Sequence, residues 1–230
     1  MSNLNKIINI EFLKDKDACE EGIKYFKTQI AEPIAARELI EKLLAADDGG
    51  KIWWVNWLIC RLFTHEQAIA CAIFEAEQVL AIFEQEYPDD KRPRAAIEAA
   101  KQVALSDTEE NKKIAARAAD AARAAWAETK ATADAAANAA YVAYAAANAA
   151  YSAADATYAA AYAADAAAYA AYAAADATYA AANMAAANMA AANAADEAAY
   201  AVAYAAVATA KKEMLLKIIS FGIGLLENKR

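Results

Sequence analysis

From Ser106 to Phe221 the chain contains neither glycine nor proline, and alanine dominates its composition. Alanine has the highest helix propensity, and the two residues that break helices are missing, so local physics asks for helix throughout. Ser106-Asp107-Thr108-Glu109 offers a start, with Ser106 and Glu109 spaced for a capping box and acids at the positive end of the helix dipole. The remaining residues are spaced in sevens. Asp134, Tyr141, Asn148, Asp155, Tyr162, Tyr169, Asp176 and Asn183 form one series, and Tyr144, Tyr151, Tyr158, Asp165, Tyr172 and Tyr179 form a second, three residues away. They are the a and d positions of a heptad. Ala154-Asp155-Ala156-Thr157-Tyr158-Ala159-Ala160 recurs at Ala175 to Ala181, a short internal duplication.

That seam cannot lie on a lone straight rod. A straight helix drifts roughly 20° per heptad from a 3.5-residue repeat, and Ser106 to Gly222 would run to roughly 170 Å at 1.5 Å per residue. The tract is therefore expected to meet another helix and to fold back at least once, near Asn183 to Asn193, where two five-residue steps disturb the heptad. Beyond them the stripe is expected to resume at Glu197, Tyr200, Tyr204 and Val207, then Met214, Ile218, Phe221 and Leu225.

Most of the Leu, Ile, Phe and Trp residues precede Ser106. Apolar residues there recur at helical spacing between glycine and proline. The spacing predicts helices over Asp15 to Gln29, from just before Pro33 to Asp47, over Lys51 to Phe63, from a Thr64-His65-Glu66-Gln67 capping box to the residues before Pro88, and over Ala95 to Leu105. The Lys51 to Phe63 helix is apolar nearly all round, hence central. The chain thus reads as all-α, with an N-terminal helical bundle (1–105), an alanine-rich helical repeat (106–210) and a C-terminal amphipathic helix packing on the rest (211–230).

The formal charge of −8 argues against nucleic acid, which needs a basic footprint, and favours a basic protein partner. The N-terminus lacks the apolar core of a signal peptide, and Met214 to Leu226 is too short to span a bilayer. Three unmatched cysteines, Cys19, Cys60 and Cys71, fit a reducing compartment. A cytoplasmic protein is expected. No catalytic, metal or cofactor site is predicted: His65 is the only histidine, Cys60 and Cys71 lie in apolar runs, and there is no glycine-rich phosphate loop. Glu75 and Glu77, like Glu84 and Glu86, are two apart on a helix and do not face each other; they read as a solvated face.

The heptad tyrosines read either as packing between alanine-surfaced helices, with hydroxyls meeting Asp or Asn, or as a recognition surface, since Tyr offers large contact area at little rotamer cost. On the second reading Tyr144, Tyr151, Asp155, Tyr158, Tyr162, Asp165, Tyr169, Tyr172, Asp176 and Tyr179 would contact a partner. A homo-oligomer built on the same seam is the alternative.

Ala18-Cys19-Glu20-Glu21-Gly22-Ile23-Lys24-Tyr25-Phe26, Trp54-Val55-Asn56-Trp57-Leu58-Ile59-Cys60-Arg61-Leu62, and the segment from Ala76 to Phe83 and on through Tyr87-Pro88-Asp89-Asp90 to Ala100, followed by the Ala/Tyr/Asp tract, together resemble the alanine-rich, immunity-protein-five-like family of bacterial polymorphic-toxin systems. That resemblance implies an immunity protein that neutralises a toxin by binding, without catalysis. It carries over no individual site residues.

Overall fold

A computed structural model describes residues 3–46, 51–129, 143 and 197–227 of the chain, with backbone alone for residues 126–129 and 197–208. The fold is all-α, with one pair of two-residue strands as its only sheet among the described residues.

The first 46 residues are more broken than helical periodicity predicts. Strand β1 (Ile7–Ile8) pairs antiparallel with β2 (Ile34–Ala35), Ile7 opposite Ala35 and Ile8 opposite Ile34. Between them lie α1 (Ile10–Asp15) and α2 (Glu20–Tyr25), the latter running into a π-helical turn over Phe26–Ile30. The single helix expected over Asp15 to Gln29 is thus interrupted. Asp17 takes a left-handed φ of 56°, and the Ala18 N–H reaches back to the Leu13 carbonyl at 2.9 Å, the signature of a helix C-terminus. Helix α3 (Ala36–Ala45) starts three residues after Pro33 rather than just before it, because the chain first pairs as β2.

From Lys51 the helices follow the periodicity closely. Helix α4 (Lys51–Leu62) buries Ile52, Val55, Leu58, Ile59 and Leu62 and packs between α3 and the last helix of the chain. Helix α5 (His65–Glu86) opens on the expected capping box: the Gln67 N–H donates to Thr64 Oγ1 at 3.3 Å, and the Thr64 N–H donates to Gln67 Oε1 at 2.9 Å. Helix α6 (Arg92–Leu105) takes Pro93 into its first turn and runs antiparallel to α5, since Arg94 pairs with Glu84 and Lys101 with Glu77.

Helix α7 (Glu109–Thr129) is capped by Thr108, not Ser106: Thr108 Oγ1 accepts from the Asn111 N–H at 3.2 Å. The Ser106 carbonyl instead accepts from Asn111 Nδ2 at 2.7 Å, tying off the short α6–α7 turn. Ala115, Ala119, Ala122 and Ala125 are buried along one stripe of α7 and belong to the same core as Ala96, Ala99 and Ala100 of α6. Alanine buries little area, so this pair gains its stability from close approach of two backbones.

Helix α8 (Glu197–Glu227) returns antiparallel to α5, with Leu225 beside Gln67 and Phe221 beside Phe74. The fold-back expected near Asn183 to Asn193 lies outside the described residues. The face α8 turns inward is Leu215, Ile218, Ile219, Gly222 and Leu226. The expected stripe of Met214, Ile218, Phe221 and Leu225 is displaced from it by close to one residue, so that Met214, Phe221 and Leu225 flank the buried face and are only partly covered. A Cβ on Gly222 would lie 2.8 Å from Ile59 Cγ2 and 3.2 Å from Phe63 Cζ, whereas one on Gly224 would meet nothing within 4 Å.

Two alanine substitutions on α8 should therefore move stability in opposite directions. Gly222→Ala should cost about 1–3 kcal/mol through overpacking, and Gly224→Ala should gain up to about 1 kcal/mol of helix propensity. Urea denaturation of the two variants checks this; a shift of the same sign in both would contradict the close approach at Gly222.

Candidate functional site

The ten residues expected to contact a partner, Tyr144 to Tyr179, all fall between Thr129 and Glu197 and lie outside the described residues. The described residues are those that hold the two helices flanking that tract. On the α7 side, Lys112 is nearly buried, and its ammonium pairs with Asp107 at 2.9 Å and Glu109 at 3.2 Å. The hydrogen bond it donates to Asp107 raises its pKa and keeps the charge in place.

On the α8 side the contacts run the length of the helix end. Gln67 has two roles: its Oε1 completes the α5 capping box, and its Nε2 donates to the Leu225 carbonyl at 2.6 Å. That bond satisfies a carbonyl in the last turn of α8, where no intrahelical donor exists. Phe221 stacks on Phe74, with centroids 4.0 Å apart and planes within 7°. Lys217 donates to Gln78 Oε1, and Lys211 lies 5.4 Å over the Trp53 ring. Arg37 and Glu227 form a 2.9 Å ion pair with both side chains nearly half exposed, a contact that adds at most about 1 kcal/mol.

The acidic residues of α5 divide in a way the sequence reading missed. Glu77 and Glu84 do face outward, paired with Lys101 and Arg94. Glu75 is fully buried, contrary to the solvated face expected for it. The Cys71 thiol donates to its Oε1 at 3.3 Å, and its Oε2 meets no partner among the described residues. Burial drives the Glu75 pKa well above its ordinary value near 4.5, so the side chain sits in the core as a neutral acid. Burial also pushes the Cys71 thiol up, with Glu75 adding to the effect, which leaves that thiol protonated and unreactive. One signal could have found Glu75: its neighbours four residues away on either side, Cys71 and Val79, are both core residues.

His65, in the first turn of α5, is half-buried, and its two ring nitrogens are shielded from solvent with no hydrogen-bond partner among the described residues. Burial lowers its pKa, against a smaller opposing pull from Asp107. Cys60 is buried, and the exposed Cys19 caps α2. Among the described residues no group of three or more His, Cys, Asp or Glu side chains comes together to hold a metal ion, and no helix is long and apolar enough to cross a membrane. Comparisons with protein-family models, curated proteins and solved structures give no match to this chain.

The neutral carboxyl gives stability a defined pH dependence. The folded-state pKa of Glu75 lies above the unfolded value, so its contribution is full below about pH 4.5 and is lost as pH rises toward the folded pKa. Glu75→Gln keeps the shape and removes the proton. Its stability advantage over the native chain should widen from about pH 5 to pH 7. Denaturant midpoints measured across that range check this, and parallel pH profiles for the two proteins would contradict it.

Proposed function

We propose that this chain is an immunity-type protein: a cytoplasmic helical scaffold that neutralises a toxin by binding it directly, without chemistry of its own. The observation that carries the reading is the acidic chain, at −8, with Asp155, Asp165 and Asp176 interleaved among the heptad tyrosines. A surface of that kind complements a basic toxin domain, because charge steers the encounter and tyrosine supplies anchoring area. The resemblance of the N-terminal segments to the immunity-protein-five-like family points the same way.

The arrangement of the flanking helices suits such a role. Helices α7 and α8, which flank the Tyr/Asp tract in sequence, both contribute to one core, and a rigid body on either side of a binding segment lowers the entropy lost when a partner is bound.

The test is co-expression with candidate toxin genes from this gene's neighbourhood. Growth should be rescued and the two proteins should co-purify. A triple variant, Asp155→Lys, Asp165→Lys and Asp176→Lys, should weaken binding at least tenfold, with the larger part of the loss in the association rate at low salt. No rescue and no co-purification would overturn the reading. A concentration-dependent homo-oligomer that ignores the toxin would replace it with self-assembly on the same seam.

A further inference from the structure

The N-terminal helices line a half-open cavity of about 300 Å³, at the lower end of the range for small-molecule sites. Three half-buried indoles, Trp53, Trp54 and Trp57, line it from α4, and Tyr25 lines it from α2. Phe26, Leu39 and Leu58 close its inner wall. Close-packed interiors do not leave such spaces around large aromatic side chains without cost.

The wall that α1 and α2 contribute is built from residues that suit folding poorly. Asp17 occupies a left-handed φ of 56° at the C-terminus of α1, a position that glycine takes without strain. Cys19 is the N-cap of α2, its sulfur accepting from the Gly22 N–H at 3.4 Å, where a Ser, Thr, Asp or Asn oxygen would hold the helix better. Gly22 lies inside α2, where alanine would favour the helix. All three line the cavity. Ala31 is also left-handed, at φ 66°, but it lines no part of the cavity and brings no functional group. Local choices that weaken a fold and converge on one concave surface mark a site shaped for something other than stability.

The chemistry of the lining selects the ligand. Among the described residues Asp17 is the only charged one in its lining. The Asp17 carboxylate is exposed and makes no ion pair or hydrogen bond among the described residues. The aromatic faces already carry cations from the chain: Lys51 lies 5.6 Å from the Tyr25 centroid, Arg61 5.5 Å from that of Trp57 and Lys211 5.4 Å from that of Trp53. A second positive charge gains little there, while an uncharged hydrocarbon body gains dispersion and burial. The site thus offers one anionic contact at its rim and an aromatic-walled interior.

We propose that this cavity binds a small organic cation, a primary amine with an aromatic or branched aliphatic body. Its ammonium sits on Asp17 and its body packs against the three indoles. Its described lining residues, Leu13 to Leu58, all precede the tyrosine tract in sequence, and the proposal does not rest on toxin binding.

The test uses three probes that share one body and differ in charge: phenylbutylamine, phenylbutanol and phenylbutyrate. They are titrated against the full chain and followed by tryptophan emission and calorimetry. The amine should bind about three- to tenfold more tightly than the alcohol, as befits an exposed ion pair, and the carboxylate should bind most weakly. Asp17→Asn, which tolerates the same backbone conformation, should bring the amine to the affinity of the alcohol and leave the alcohol unchanged. Gly22→Leu should fill the cavity and abolish binding of all three. No binding of any probe, equal affinity for the three, or an Asp17→Asn variant that still prefers the amine would each overturn the proposal.

Discussion

The bare backbone of Gly222 against Ile59 and Phe63 fixes how deeply the last helix enters the bundle. A side chain there would hold α8 away from α4, and the contacts on either side of it depend on the same seating. Phe221 reaches Phe74, the Leu225 carbonyl reaches the Gln67 amide, and Lys217 reaches Gln78 only at that depth. With α8 seated, Ile59 and Phe74 are covered and α4 becomes a central helix. Without it, one face of α4 and α5 would be open to water.

The bundle combines two packing regimes. Helices α3, α4, α5 and α8 meet through Leu, Ile and Phe, where the gain comes from apolar area removed from water. Helices α6 and α7 meet through alanine, where the gain comes from backbone proximity and low side-chain entropy loss. The neutral Glu75 sits in the first regime. An acid left in the core with one oxygen unmatched costs on the order of 1–3 kcal/mol, and Cys71 compensates for part of that with a weak thiol hydrogen bond.

How far the fold was legible from sequence depended on how local its determinants were. The Thr64 capping box and the apolar run of Lys51 to Leu62 are written in consecutive residues, and both helices form where their spacing places them. The β1–β2 pairing joins residues 26 and 28 positions apart through strands of two residues, too short for a period of two to register. The interruption at Asp17 needed a left-handed cap that aspartate announces far less clearly than glycine. The face of α8 was misplaced because its phase was carried across the two pentads at Asn183 to Asn193; the packing partner, not the extrapolated heptad, decides which face turns inward. Glu75 was misread because a charged residue ordinarily reports solvent. Of the functional reading, the Tyr/Asp tract lies outside the described residues, and the cavity beside Trp57 was not foreseen, since it forms only when α2 and α4 meet.

The two helices flanking the tyrosine tract belong to a single body, with α8 as integral to it as α4. Native-state hydrogen exchange tests this most directly. Amides of α8 from Leu215 to Leu226 should exchange with the same opening free energy and the same denaturant dependence as those of Val55 to Ile59, as expected of one cooperative unit. Faster exchange of α8, with little dependence on denaturant while α4 remains protected, would show a helix that opens on its own and would contradict the account.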